Sequence, residues 1–407
     1  MSVSAIEDAM QKANKCSQSV PFGSLFHLQP FEGGSSASSI PLWGCRTEYT
    51  TAQQWENCSD AIALKIVAPR NEEDAGRTVK EARWVQYLSD QYLVTNISPN
   101  FIKSYGWYTC DASTIKRLLE SRLIDPKFIK VEKIARILET TTENMVVLLT
   151  EKAWLSLDER LNDAINDSLQ EGTDAPLDVM LFTKSCIFQV LVTLALVQLD
   201  MPTFRHNDLH PGNILLVKQQ LKSPATVGFA RTKYQIPAET HMVKFWDFEF
   251  TTEASDAVSG IAGESSDVTD CPVYDHTFFL NCIDDIFAES RKTLTEQLEE
   301  AEDDEDKESW EQYLNTFDSM YSELDMFLTR ALPGIRGSTD APAAEVDDPL
   351  LELNETGGIN LRLSKSGQQR WRELGIKTPA QLLTDPYFDS LVIARNVPVS
   401  SQVQRVM

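Results

Sequence analysis

Short apolar runs separated by polar turns dominate the first part of the chain, and this pattern is typical of β-strands. Residues 17–68 hold the clearest strand candidates, which read SLFHL, SIPLWG and AIALKIV. Across residues 72–93, apolar positions recur at helical spacing, and acidic residues fill the first turn, where the helix dipole favours them. Another apolar run, MVVLLT at 145–150, predicts one more strand. The pattern therefore predicts a β-rich region that contains one helix.

The pattern beyond residue 150 is mainly helical. One helix is predicted to start near Ser156, and the longest apolar segment, 178–199, predicts another that ends before Pro202. Its apolar centre, 186–199, is shorter than the roughly 20 residues that span a bilayer. We therefore expect a core helix and no membrane insertion.

Two short strands are predicted in this second region, around 214–217 and 242–245. The polar residues between them, 218–241, are predicted to form an inserted loop. The acidic stretch 294–312 is interpreted as a solvated helical face or loop, and 334–348 has the composition of a linker. The chain shows no internal repeat.

Charge narrows the range of partners. The 407 residues carry a net charge of -24 and a pI near 4.6, so the field of the protein repels nucleic acid and anionic membrane surfaces. Nucleic acid is therefore not expected as a partner, whereas a basic protein substrate is compatible with this field. The simpler interpretation, in which the acidic excess only keeps the protein soluble, stays open.

The cysteines and the first residues of the chain are used to predict the cellular compartment of the protein. The seven cysteines form no CxxC pair, and we interpret them as reduced, mostly structural thiols. The start MSVSAIEDAM lacks the basic flank and apolar run of a secretory signal. These features predict a cytoplasmic protein.

The strongest chemical signal is the run HNDLHPGN at 206–213, between the long apolar helix and the strand ILLV. A carboxylate such as Asp208, with Asn213 five residues later, can accept a proton from an attacking hydroxyl and help to hold a metal on transferred phosphates. A second carboxylate, Asp247, ends the apolar strand KFW and is followed by Phe248 and Glu249. Carboxylate oxygens are the ligands that Mg²⁺ prefers.

A lysine inside an apolar strand is the third signal. Lys65 lies within AIALKIV, where burial is unfavourable unless the ammonium group is paired. Glu81, sixteen residues later on the predicted helix, is the natural partner, and Glu72 and Glu73 are alternatives at the helix start.

These motifs, and their order along the chain, resemble those of the protein-kinase-like superfamily over roughly residues 18–390. The resemblance implies an α+β, bilobal fold, with a β-rich N-lobe at 1–150 and a mainly helical C-lobe at 151–407. It implies that Asp208 is the catalytic base, that Asn213 and Asp247 hold Mg²⁺, and that Lys65, oriented by Glu81, holds the phosphates of ATP.

Further positions take their roles from the same resemblance. Gly23 in FGSLF matches the last glycine of the phosphate-covering loop, although Gly33 and Gly34 offer a second candidate turn. Thr150 matches the gatekeeper, and Glu151 and Ala153 bound the hinge that binds adenine. Two stretches resemble protein kinases in particular: YDHTFFLN, in which Asp275 would brace the loop 206–213, and the closing segment TPAQLLTDPYF at 378–388.

The chain also departs from the family pattern. Asn207 stands where the family usually has Arg, and His210 stands where protein kinases usually have Lys. Glu249 stands where the family usually has Gly. No Ala-Pro-Glu sequence follows Asp247. In many kinases that Arg pairs with a phosphate on the activation loop, so the resemblance predicts activity without such phosphorylation.

The function predicted is transfer of the γ-phosphoryl group of Mg-ATP to a protein hydroxyl by a serine/threonine-type protein kinase. The sequence HNDLHPGNIL is similar to that of kinase-like proteins of large DNA viruses. This resemblance would place the chain in host cytoplasm or in the virion. A small-molecule kinase of the aminoglycoside or choline type is one alternative, favoured by HNDLHPGN. A pseudokinase that acts as a scaffold or virion component is another. The sequence gives no indication of the oligomeric state.

Overall fold

The computed structural model divides the chain into two compact units, which are described one at a time. The first comprises the described residues up to Thr95 and from Phe101 to Ala153, and the second comprises Asn96–Asn100 and the described residues from Trp154 onward. The structure describes residues 26–30, 39–46, 58, 61–69, 71–120, 137, 144–171, 175–221, 223–238, 240–253, 271–301, 303–333, 351–353, 361–363 and 365–397.

The first unit is built on an antiparallel sheet with helices. Its elements are β1 (Phe26–Pro30), β2 (Ser39–Arg46), β3 (Ile62–Val67), α1 (Glu72–Leu88), β4 (Ser104–Asp111), α2 (Ala112–Glu120) and β5 (Asn144–Glu151). The five strands pair in the order β1-β2-β3-β5-β4. The strands predicted at 39–44, 61–67 and 145–150 are confirmed as β2, β3 and β5, whereas the pattern gave no prediction of β4 or α2.

Alternation along the strands creates the core of this unit. Every second residue of β2, β3 and β5 is apolar and buried, because successive side chains point to opposite faces of a sheet. The buried cluster consists of Ile40, Leu42, Ile62, Leu64, Ile66, Ala68, Cys110, Ile115, Ile137, Met145, Val147 and Leu149. Lys65 belongs to the other set of positions on β3, so its side chain leaves this core.

Helix α1 begins as its sequence predicts. The side chain of Asn71 caps it by accepting a hydrogen bond from the backbone of Asp74 at 2.8 Å, and acidic residues fill the first turn. A single π-helical turn, Ser89–Leu93, continues the helix. Trp84 and Leu88 are fully buried on the face that also carries Glu81. The predicted helix at 72–93 is therefore confirmed.

The second unit contains the long helices. Its elements are β6 (Leu155–Ser156), α3 (Leu157–Glu171), α4 (Ala175–Asp200), β7 (Ile214–Gln220), β8 (Ala225–Phe229), β9 (Thr232–Ile236), β10 (His241–Phe245), α5 (Tyr274–Glu300), α6 (Asp304–Ala331), β11 (Leu351–Leu353), β12 (Leu361–Leu363), α7 (Lys365–Arg370), α8 (Pro379–Leu382) and β13 (Val392–Ala394). Strands β10, β7 and β6 form one sheet, and β13, β9 and β8 form another.

Helix α4 is the core element of this unit. Within the described residues, Asp178–Asp200 is long and apolar enough to cross a membrane by length and composition alone, yet 89% of its most apolar window is buried inside the protein. The ring of Phe188 packs on Tyr234 of β9 and on Phe388, at centroid distances of 4.8 and 5.9 Å. The prediction of a core helix is confirmed.

Residues 218–241 are not the inserted loop that the sequence predicts. They contain the hairpin β8–β9, and β9 also pairs with β13 near the end of the described chain. The hydroxyl of Tyr234 donates to the backbone oxygen of Leu383 at 2.9 Å. These short strands are stabilised by partners far away in sequence, so their polar pattern alone resembled a loop.

The prediction that all cysteines are reduced thiols is wrong. Cys45 and Cys58 form a disulfide, with Cα atoms 6.2 Å apart, which is within the range that a bridge spans. Cys110 is also disulfide-bonded. Cys186, Cys271 and Cys282 of the second unit are buried and keep their thiols. Residue spacing did not reveal the bridge, because pairing depends on which strands the fold brings together.

The predicted α+β fold class is confirmed by a β-sheet in the first unit and mainly helical structure in the second. The acidic stretch 294–312 falls on the end of α5 and the start of α6, as a solvated helical face. The linker predicted at 334–348 lies outside the described residues.

Candidate active site

The HNDLHPGN motif forms a loop, residues 206–213, between α4 and β7; it is called the motif loop below. Asp275, on the first turn of α5, holds its backbone. The Asp275 carboxylate accepts hydrogen bonds from the N–H groups of His206 at 2.7 Å and Asn207 at 2.9 Å. Burial raises the pKa of Asp275, while nearby His206 and the two backbone hydrogen bonds oppose that rise. The predicted bracing of the loop by Asp275 is confirmed.

Asp208 and Asn213 lie side by side in the motif loop. The amide nitrogen of Asn213 donates to the backbone oxygen of Asp208 at 2.8 Å and to its Oδ2 at 3.1 Å. A short 3₁₀ turn, Pro211–Asn213, brings the two together. Because the amide nitrogen faces Asp208, the amide oxygen of Asn213 faces away and is suitable for a cation.

His210 lies next to the Asp208 carboxylate. Its Nδ1 accepts a hydrogen bond from the N–H of Gly212 at 3.1 Å, which places the ring proton on Nε2, 3.8 Å from Oδ2 of Asp208. Burial lowers the pKa of His210, and the charges of Asp208 and Asp247 act against that shift. A Cβ atom at Gly212 would meet the His210 ring at 2.8 Å, so only glycine allows this close approach without a shift.

Asp247 follows β10 directly and adopts a left-handed backbone, with φ of 61°. Non-glycine residues in this region are uncommon and concentrate at functional sites. The N–H of the preceding residue, Trp246, donates to the backbone oxygen of Asn213 at 3.0 Å. Phe248 is fully buried, and its ring lies 4.9 Å from that of His206. Strand β10 and the motif loop therefore place Asp247 beside Asn213.

The chemistry of these side chains fits Mg²⁺ bound together with a nucleotide. Asn213 and Asp247 supply oxygen atoms, which Mg²⁺ prefers, and phosphates and water complete its octahedral shell in kinase-type sites. Within the part of the chain that the structure describes, no group of three or more His, Cys, Asp or Glu side chains is placed to hold a metal.

In the first unit, Lys65 and Glu81 form the ion pair that the sequence predicts. The ammonium nitrogen lies 2.7 Å from Oε1 of Glu81, and 15% of the lysine and 4% of the glutamate side chain are exposed. The alternatives Glu72 and Glu73 lie in the first turn of α1, where Glu73 instead contacts Arg77. The pairing orients Lys65, whose role toward phosphates stays a prediction.

The predicted gatekeeper and hinge positions lie at the end of β5. Thr150 is buried at 1% exposure, and Ala153 is buried as well. The Glu151 side chain accepts a hydrogen bond from the N–H of Lys103 at 2.8 Å, while the N–H of Lys152 donates to Ala61 at 3.1 Å. The backbone here is therefore fixed by neighbouring strands.

The structure brings together Asp208, Asn213 and Asp247 in the second unit, and Lys65 and Glu81 in the first. Gly23, and with it Gly33 and Gly34, lies outside the described residues. Sequence reasoning missed Asp158, on the first turn of α3, whose pKa is raised by burial and lowered by His210. Nothing in the sequence pattern indicated that these two residues are close.

Comparisons with known proteins agree with the motifs. The chain is 28% identical over 182 residues to the "Putative serine/threonine-protein kinase R400" of Acanthamoeba polyphaga mimivirus, a match that covers 42% of this chain and 37% of that protein. The chain thus spans well under two thirds of that relative's length. The predicted resemblance to protein kinases, and to kinase-like proteins of large DNA viruses, is confirmed by this match.

Two other comparisons contribute less. No protein-family model matches the chain. Among solved structures, the MAP kinase LmaMPK10 from Leishmania major aligns with a TM-score of 0.31 and 15% identity, over 61% of this chain and 51% of that one. A TM-score of this size does not establish a common fold.

Proposed function

We propose that this kinase-like protein is an ATP-dependent phosphotransferase that transfers the γ-phosphoryl group to a serine or threonine hydroxyl of a protein. The observation that supports this most directly is the arrangement of the motif loop. Its backbone is held by Asp275, Asn213 is hydrogen-bonded to Asp208, and Trp246, next to Asp247, is hydrogen-bonded to Asn213. The name of the mimivirus relative adds support for the acceptor class.

Each candidate residue would have a distinct task in this reaction. The Asp208 carboxylate would orient the acceptor hydroxyl and accept its proton, and the hydrogen bond from Asn213 fixes that carboxylate. Asn213 and Asp247 would hold Mg²⁺, which, when bound, neutralises charge on the β- and γ-phosphates. Lys65, oriented by Glu81, would bind the α- and β-phosphates. Gly23 would belong to the loop that covers them, and Thr150, Glu151 and Ala153 would contact the adenine.

The neighbouring His210 changes the charge beside Asp208 from the one that a lysine would give. A lysine at this position would place a fixed positive charge beside Asp208, whereas burial lowers the pKa of His210 and favours the neutral ring. A neutral Nε2–H can donate a hydrogen bond to an acceptor or phosphate oxygen without changing the charge of the site. This same feature supports the second candidate, a small-molecule kinase, whose loops read similarly.

The compartment belongs to the proposal as well. Similarity to a mimivirus protein supports a viral origin, and hence the host cytoplasm or the virion. Disulfides are rare in reducing cytosol and persist at oxidising sites that include virion surfaces. The Cys45–Cys58 bridge therefore favours the virion of the two.

The test is incubation with radiolabelled ATP and Mg²⁺, with a basic protein, casein, an aminoglycoside, choline or buffer alone as acceptor. We expect the wild-type protein to transfer label to protein acceptors. Asp208→Asn and Asp247→Ala should each lower the rate of transfer by at least about a thousandfold, as removal of catalytic groups does in other enzymes. Asp178→Asn, which changes an exposed carboxylate on α4, is the matched control.

Other outcomes separate the alternatives. Labelling of the small acceptors alone would assign a small-molecule kinase. Mg²⁺-dependent ATP binding without transfer would assign a scaffold. Unchanged transfer in a correctly folded Asp208→Asn or Asp247→Ala protein would move the active site elsewhere.

A further inference from the structure

The segment that follows β10, residues 246–253, lies along the motif loop and along Arg205, which directly precedes the loop, and hydrogen bonds attach it to both. The backbones of Arg205 and Thr252 exchange two hydrogen bonds, of 3.0 and 2.9 Å. The Nε2 atom of His206 lies 2.8 Å from the backbone oxygen of Trp246. These contacts set the register of the segment against the loop.

Asn207 supplies the side-chain part of this attachment. Its amide nitrogen donates to the backbone oxygen of Phe250 at 2.8 Å and to the hydroxyl oxygen of Thr252 at 2.9 Å. The Phe250 side chain is 48% exposed, so its own burial does little to hold this part of the segment. The two hydrogen bonds from Asn207 therefore hold the segment at Phe250 and Thr252.

The backbone of Asn207 is fixed at the same time. Its φ of 65° lies in the left-handed region, which asparagine tolerates better than most residues with a side chain. Its N–H is bonded to the buried carboxylate of Asp275. One residue thus joins α5, through its backbone, to the segment that carries Asp247, through its side chain, and Asp208 is the next residue along the chain.

The side chain of Arg205, two residues before Asn207, contacts residues outside the segment. The guanidinium of Arg205 donates to the Gln368 side chain at 2.6 Å and lies over the ring of Tyr274 at 4.4 Å. The segment itself carries a buried carboxylate, Glu253, which accepts a hydrogen bond from the Thr203 hydroxyl. Both charged groups therefore already have partners in the folded chain.

We propose that Asn207 is a positioning residue, which holds segment 246–253 and thereby keeps Asp247 in register with Asp208 without phosphorylation. This rests on the proposed function. The hydrogen bonds that Asn207 makes to Phe250 and Thr252 join uncharged groups, so they form as the chain folds and need no added charge.

The first readout is hydrogen exchange of segment 246–253 in the ligand-free protein, which does not depend on catalysis. Asn207→Gly keeps the left-handed backbone and removes the amide, and Asn207→Asp keeps the shape but removes the donor. Both are expected to exchange about tenfold faster across 250–252 than wild type, because removal of hydrogen bonds of ordinary strength favours local opening. Asn396→Gly is the control, since Asn396 is exposed and has a φ of 58°.

The second readout is the Mg²⁺ dependence of kcat. We expect both Asn207 variants to lose about tenfold in kcat at fixed Mg²⁺ and to recover part of it as Mg²⁺ rises, because displacement of Asp247 weakens the cation site. Thr252→Val, which removes one acceptor, should lose less, and Thr252→Ser should behave as wild type. Wild type treated with phosphatase should keep its full rate.

These measurements distinguish a failure of the proposed function from a failure of the positioning role. Faster exchange in the variants together with an inactive wild type would contradict the proposed function and leave the attachment intact. An active wild type with unchanged exchange, kcat and Mg²⁺ dependence in Asn207→Gly would overturn the positioning role. Loss of activity on phosphatase treatment would overturn the independence from phosphorylation.

Discussion

At the scale of single residues, His276 links the stability of the second unit to pH. It is fully buried on α5, and its Nε2 lies 2.9 Å from the backbone oxygen of Lys377, which makes Nε2 the donor. Its Nδ1 has no hydrogen-bond partner in the described part of the chain. Burial lowers the pKa of His276 from 6.5 to about 4. A second proton would therefore place an unpaired N–H and a charge in the core.

The direction of the effect follows from this lowered pKa. Below pH 6.5 the unfolded chain binds a proton at this residue that the folded chain does not, so stability falls as pH drops toward about 4 and then levels off. The expected loss is about 3 kcal/mol at most, at 1.36 kcal/mol for each pKa unit. Urea unfolding between pH 7 and 4 should show a shallower pH dependence for His276→Gln. His241→Gln, at a partly exposed histidine, should keep the wild-type dependence, and equal slopes in all three proteins would contradict the assignment.

The residues that sequence could predict are those whose chemistry is unusual for their surroundings. Lys65 stood out because a lysine interrupts an apolar strand, and its ion pair with Glu81 is present. The hydrogen bonds of the Asn207 side chain could not be predicted, because they depend on the position of a segment more than forty residues later. The substitution of Asn for Arg was the one signal at that position. The catalytic and binding roles of Asp208, Asn213 and Asp247 stay predictions until transfer is measured.

At the scale of elements, the disulfide stabilises the sheet of the first unit. Cys45, at the end of β2, is fully buried, and its bond to Cys58 closes a loop of about 13 residues. In the chain-entropy account, a loop of this size contributes about 3 kcal/mol by restricting the unfolded chain. We expect the double substitution Cys45→Ala and Cys58→Ala to lower the free energy of unfolding by about that amount, as measured by guanidinium titration.

Chemical reduction of the disulfides tests the same bond in a second way. Dithiothreitol should destabilise wild type more than the double variant, whose remaining sensitivity would come from the bond at Cys110. Cys282→Ala, at a buried thiol that forms no disulfide, should keep the full response to dithiothreitol. If wild type and the double variant responded equally to reduction, Cys45 and Cys58 would not be bonded in the folded protein.

Elements were predictable where their stabilising contacts are local. Strands β2, β3 and β5 contain runs of apolar residues, and α1 has its own cap and first-turn acids, so each can be predicted from its own residues. The hairpin β8–β9 was mistaken for a loop because its polar strands are stabilised by β13 and by contacts near residue 383. Strand β4 was not predicted, because its central residues are only partly buried and apolar and polar residues do not alternate along it.

At the scale of the whole molecule, the net charge of -24 should affect how acceptors reach the site. A field of this sign raises the local concentration of basic peptides and lowers that of acidic ones, and salt screens it. The Debye length falls from about 10 Å at 0.1 M salt to about 3 Å at 1 M. If the proposed function holds, KM for a basic serine-containing peptide should rise by about tenfold over this range, whereas kcat should change little.

Comparison of peptides separates this long-range effect from a general effect of salt on the enzyme. A neutral peptide with the same serine and the same length should show a nearly constant KM, and an acidic one should show a falling KM, because salt removes repulsion. A rise of equal size for all three peptides would mean that salt acts on the protein or on nucleotide binding. A constant KM for the basic peptide, with transfer intact, would mean that the acidic surface serves solubility alone and that acceptor choice depends on contacts next to Asp208.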